Sequence, residues 1–169
     1  MLLPRTQKAL EESEEHIDGT NTRGTTIEAF LTQYILILLS SEMESELHAV
    51  IEAKAEQLNQ KDLREFIMNA GKSCIRGVKK EAIAQFLSCF GGTYQQDFND
   101  SLILKEKEIT IYGNAIIYRH SIAHRGGAQV TFNEIKAAVE SAKIILSAVR
   151  SVLRIDHNDA SEEKEVSTK

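Results

Sequence analysis

The chain has 169 residues, 42% apolar and 27% charged, with one Pro, nine Gly and no Trp. That composition suits one domain with an aliphatic core and excludes a disordered, collagen-like or membrane-embedded chain. The formal net charge of −5 excludes a nucleic-acid binder that relies on bulk positive charge, while leaving room for a local basic site.

The first residues have too short an apolar run for a signal peptide and no small-residue cleavage site. Glu11, Glu12, Glu14 and Glu15 crowd one short stretch, the pattern of a solvated helix face, so the portion up to Gly24 is expected to be peripheral. A long helix is predicted from Thr25, which has Glu28 at capping-box spacing. Its stripe is Ile27, Phe30, Leu31, Tyr34, Ile35 and Leu38. Residues 34–39 are apolar nearly all round, as in a central helix contacted on several sides. That run is far below the ~20 residues a membrane span needs, so a soluble, cytoplasmic protein with no membrane partner is expected. A break is expected near Ser40 and Ser41, after which the stripe resumes at Leu47, Val50, Ile51, Ala55 and Leu58.

Shorter helices are predicted over residues 61–70, 79–90 and 94–104, with Gly91-Gly92 ending the second. Cys74 and Cys89 match neither CxxC nor a zinc-finger spacing and read as reduced, small apolar residues. Residues 108–124 read as a helix ended by Gly126-Gly127. Its β-branched cluster Ile109, Thr110 and Ile111 makes a short strand the local alternative. The clearest helix covers residues 132–153, where Ile135, Ala138, Val139, Ala142, Ile145, Leu146, Val149, Val152 and Leu153 recur at steps of three and four. Thr131 and Glu134 form a capping box at its start. Residues 156–169 have almost no apolar content and are expected to be a disordered tail. The expectation is one all-α domain over residues 1–155, a bundle of five to seven helices, because amphipathic helices joined by short links bury their stripes against each other.

The stretch with chemistry in it is Tyr118-Arg119-His120-Ser121-Ile122-Ala123-His124-Arg125. On a helix His120 and His124 are neighbours on one face, and the long stem of Arg119 can swing toward the same surface. Imidazole exchanges protons near neutral pH, and guanidinium grips a phosphate with two parallel hydrogen bonds. From Ile109 to Asn133 there is no Asp or Glu, so Arg119 and Arg125 lie in an acid-free window of an acidic chain. That suits a polyanionic ligand. The same residues near a helix C-terminus also complement the helix dipole and cap free carbonyls, a purely structural alternative. A metal reading of HxxxH lacks the Glu of HExxH and a nearby carboxylate, so no metal and no cofactor are expected. Ser121 has neither a nucleophile elbow nor an evident acid partner.

RHSIAH resembles the Arg-x4-His signature of the HEPN superfamily, helical domains found in many prokaryotic toxins and defence ribonucleases. The position after the family's Arg is typically Asn, Asp or His, and here it is His120. Gly follows the motif, then a long last helix opened by a Thr cap, so the similarity covers the plan from Thr25 to Leu153. The resemblance implies a dimerising helical bundle that cuts RNA without metal, leaving a 2′,3′-cyclic phosphate. Arg119 and His124 take the catalytic positions, His120 the variable polar one, and Arg125 and Ser121 are candidate RNA contacts. Partners implied are RNA, a second copy of the chain, and an antitoxin or defence protein. A subset of the family carries a modified Tyr two residues after the motif His; here that place is Gly126. The alternatives are a non-catalytic HEPN module that binds nucleotide, RNA or a partner protein, and a structural helical adaptor.

Overall fold

The computed structural model describes residues 2–125 and 130–155, with residues 120–125 described by their backbone. Seven helices follow in chain order: α1 (Pro4–Thr20), α2 (Thr26–Glu56), α3 (Lys61–Cys74), α4 (Lys80–Ser88), α5 (Gly92–Ser101), α6 (Glu106–Arg125) and α7 (Phe132–Leu153). Among the described residues there is no strand. The expected tail, residues 156–169, and the Gly126-Gly127 helix end lie outside the described residues.

Helix α7 is built as its periodicity predicts. Thr131 accepts from the Glu134 backbone N–H at 3.3 Å while the Glu134 carboxylate accepts from the Thr131 N–H at 2.8 Å, which satisfies two donors that a helix start leaves free. Phe132, Ile135, Ala138, Val139, Ala142, Ile145, Leu146, Val149 and Leu153 are all buried, against α1, α2, α5 and α6. At ~1.5 Å per residue α2 is about 46 Å long and packs on α1, α3, α6 and α7.

The expected break at Ser40 and Ser41 does not occur. Ser40 is buried in helical register, and the carbonyl of Ser41 accepts from the Ser45 hydroxyl at 3.0 Å without leaving the helix. A serine costs only a few tenths of a kcal/mol of helix propensity, and burial of Leu36, Leu39, Met43 and Leu47 on either side outweighs it. The strand alternative at 109–111 also fails. Tyr112, Ala115 and Ile116 bury one face of α6, and that packing overrides the β preference of three residues.

The N-terminal portion is not peripheral. Leu3, Thr6, Leu10, Ser13 and Ile17 are buried at steps of three and four along α1. Two of those five side chains are hydroxyls, so hydropathy alone broke the stripe. Leu3 caps α1 with left-handed backbone and no side-chain bond of its own. Glu42 of α2 supplies the cap instead: its buried carboxylate accepts from the backbone N–H of Arg5 at 2.9 Å and of Thr6 at 2.7 Å. Lys136 of α7 bonds Glu14 at 2.6 Å, and the solvated face holds the other three glutamates.

A further correction concerns the first half of α2. Ile27, Phe30, Tyr34 and Ile37 share one face and are 45%, 65%, 56% and 49% exposed, so Ile27, Phe30 and Tyr34 of the expected stripe do not face the core, although α2 is contacted on several sides as expected. Periodicity identifies an apolar face; it does not say what covers it.

Candidate functional site

Residues 119–125 occupy the last two turns of α6. Arg119 is half-buried and lines a cleft of about 280 Å³. Its walls come from three segments: Ile116 and Arg119 of α6, Ser40 and Glu44 of α2, and Arg76, Gly77, Val78 and Lys79 of the α3–α4 connection, with Ala82 just inside α4.

Local chemistry explains why that connection sits against α6. Tyr112 is fully buried on α6, and its hydroxyl donates to the Val78 carbonyl at 2.7 Å. Burial pushes the phenol's pKa far above its ordinary value, so the group stays protonated and remains a donor. Val78 is itself buried and lines the cleft. Gly77 next to it has φ of +138°, a conformation that L side chains rarely adopt, and it turns the chain so that Arg76 and Lys79 flank Val78.

Among the described residues the cleft carries three cations, Arg76, Lys79 and Arg119, against one carboxylate, Glu44. Ion pairs among the described residues engage none of the three cations. In a chain of net charge −5 this is a concentrated positive site, and unpaired cations in a cleft attract an anion far more than the global charge suggests. The guanidiniums of Arg119 and Arg76 offer planar forks for two oxygens of one phosphate; Lys79 offers a point charge.

Of the residues singled out by sequence, Arg119 has a described side chain, and it reaches the cleft. His120, Ser121, His124 and Arg125 are placed by the backbone of α6, with positions 120 and 124 one turn apart. Gly126, the place where part of the family carries a Tyr, lies outside the described residues. Sequence reasoning missed Arg76, Lys79, Glu44 and the anchoring role of Tyr112. The only signal for the first two was the basic run Arg76-Gly77-Val78-Lys79-Lys80 between two predicted helices.

Among the described residues, no three His, Cys, Asp or Glu side chains gather closely enough to hold a metal ion. Cys74 and Cys89 are free thiols. Desolvation and then the neighbouring Cys74 thiol hold the exposed Cys89 thiol above its ordinary pKa. No described helix is long and apolar enough to cross a membrane.

No curated protein sequence and no solved structure matches the chain. The family profile described as RiboL-PSP-HEPN matches residues 5–154, a span that takes in all seven helices but the first residue of α1. It therefore includes α1, which the motif-based resemblance left out, along with the cleft and the RHSIAH segment. The chain is an all-α protein that belongs to the RiboL-PSP-HEPN family.

Proposed function

We propose that the chain is a metal-independent endoribonuclease in which Arg119, His120 and His124 carry the chemistry. The observation that supports this most is the half-buried Arg119 of RHSIAH, set with two further cations in an open cleft. In the proposed reaction one histidine takes the proton from a ribose 2′-hydroxyl, and the 2′-oxygen attacks the adjacent phosphorus. The bond from phosphorus to the 5′-oxygen breaks, and that oxygen takes a proton from a second imidazole. Arg119 neutralises charge that builds on the phosphoryl oxygens. The products are a 2′,3′-cyclic phosphate and a free 5′-hydroxyl. Arg125 and Ser121, on the same two turns, contact the RNA beside the scissile phosphate.

We read the active form as a homodimer. The exposed face of α2, Ile27, Phe30, Tyr34 and Ile37, continues at the same spacing into Ser40 and Glu44 of the cleft. A second copy seated on that face would cover four large apolar side chains and stand at the cleft's mouth, where the two motifs can share proton-transfer groups. The setting proposed for such a nuclease is stress response, toxin–antitoxin pairing or phage defence, which rests on the resemblance.

The test is cleavage of a labelled RNA in EDTA by the wild type, Arg119→Lys and His124→Ala, with melting temperatures measured alongside. The wild type is expected to cut. His124→Ala should lose ~10²–10⁴-fold in rate, the usual worth of a general acid or base. Arg119→Lys should fail to restore activity, because an ammonium keeps the charge without the planar fork. Both variants cutting at the wild-type rate would refute the site. A wild type that binds RNA without cutting it would leave a binding module instead.

A further inference from the structure

The cleft contains more positive charge than one scissile phosphate requires. Arg119 belongs to the motif, but Arg76 and Lys79 come from the α3–α4 connection, about 40 residues earlier in the chain, and have no part in the proposed proton transfers. Both are exposed, neither is in an ion pair among the described residues, and they flank the one residue, Val78, that Tyr112 pins to α6. A surface loop that is anchored by a buried hydrogen bond and holds two free cations is pre-organised for an anion.

The lining also says which part of a nucleic acid fits. Among the described residues no aromatic ring lines the cleft, so these residues offer no base a stacking surface; their apolar wall is Ile116, Val78 and Ala82. An open, cation-edged cleft whose described lining has no stacking platform suits a backbone that passes through it. With Glu44 on the α2 wall, the described lining has a net excess of two positive charges, from three cations less one carboxylate.

We infer that the cleft is an RNA-backbone subsite, in which Arg76 and Lys79 hold phosphates next to the one at Arg119. Taking the polyanion as RNA rests on the ribonuclease reading; the geometry of the subsite does not. Phosphate contacts of this kind set position and register without reading sequence, so Arg76 and Lys79 are positioning residues.

The test separates binding from cutting. A fluorescein-labelled single-stranded RNA of mixed sequence, 2′-O-methylated throughout, has no 2′-hydroxyl to attack and reports binding alone. Its affinity is measured by anisotropy at several salt concentrations for the wild type, Arg76→Ala/Lys79→Ala and the control Lys61→Ala at the far end of α3, and the unmodified RNA is followed for cleavage. Single-stranded binding has a salt slope of about −0.7 per phosphate contacted, so losing two contacts flattens it by about 1.4. Between 50 and 200 mM salt the wild type should then lose about sevenfold more affinity than the double variant. Lys61→Ala should behave as wild type, Glu44→Gln should bind more tightly, and on unmodified RNA the double variant should raise KM with little change in kcat. Equal affinity and slope in wild type and double variant would overturn the subsite while a cutting wild type keeps the nuclease reading. Binding through Arg76 and Lys79 by a wild type that never cuts would keep the subsite and remove the nuclease. An equal loss in the control, or saturation of these cations by a mononucleotide with no gain from a longer chain, would also overturn it.

Discussion

Replacing Tyr112 by Phe isolates one hydrogen bond that links the core to the cleft. The ring is fully buried, so Phe keeps its apolar contacts, and only the hydroxyl is lost. That hydroxyl is the donor, at 2.7 Å, to the carbonyl of Val78, which is buried at 5% exposure and loses its partner in the variant. An orphaned buried acceptor costs ~1–3 kcal/mol. For a chain of this size, at ~2–4 °C per kcal/mol, the melting temperature should fall by about 2–12 °C. Circular dichroism at 222 nm should show unchanged helix content before the transition. Amide exchange at residues 76–79 should speed up, because the connection has lost its anchor. A second signature comes from pH. Burial raises the folded pKa of Tyr112 above the unfolded value of ~10, so the neutral phenol's contribution is complete below that value. It is lost as the pH rises past ~10, where the unfolded state ionises first. The stability gap between wild type and Tyr112→Phe should therefore narrow in alkali. An unchanged melting temperature together with unchanged exchange at 76–79 would refute the anchoring role.

Glu42→Ala removes the acceptor for the Arg5 and Thr6 N–H groups, and a loss of ~1–3 kcal/mol is expected by urea denaturation, partly restored in Glu42→Gln; no loss would show that the cap is idle. Gly71→Ala tests close packing of α3 on α2: a Cβ there would meet the Ile51 Cγ2 at 2.7 Å, so overpacking of ~1–3 kcal/mol should outweigh the ~1 kcal/mol helix gain of Ala. A raised melting temperature in that variant would contradict the approach. Glu134 is held below the ordinary glutamate pKa by the Thr131 backbone N–H and then its hydroxyl. A lowered folded pKa stabilises above the unfolded value of ~4.3 and loses its effect as the pH falls through the folded one. The melting advantage of wild type over Glu134→Ala should thus be present at pH 6 and shrink in acid; an advantage that grew in acid would reverse the assignment.

Helices whose signals are local are legible in the amino-acid order alone. Thr131 and Glu134 mark the start of α7 through bonds within one turn, and its stripe needs no knowledge of a partner. RHSIAH could be placed on a helix and matched to a superfamily for the same reason, since four-residue spacing is a property of the segment itself. What failed needed a second element to decide it. Thr6 and Ser13 lie on the buried stripe of α1 because α2 and α7 cover them, and nothing in a hydroxyl announces that. Ser40 stays helical because neighbours on four other helices are buried around α2, whereas Phe30 and Tyr34, more apolar, stay in solvent because no other described helix covers that face. The candidate cleft is the same case at greater range. Arg76, Glu44 and Arg119 are far apart in sequence, and only the packing of α2 against α6, with the Tyr112 bond to Val78, closes the chain so that they share one wall-to-wall space. Periodicity and capping act over one or two turns; burial and charge clustering are set by which surfaces meet, and that is decided by the tertiary fold.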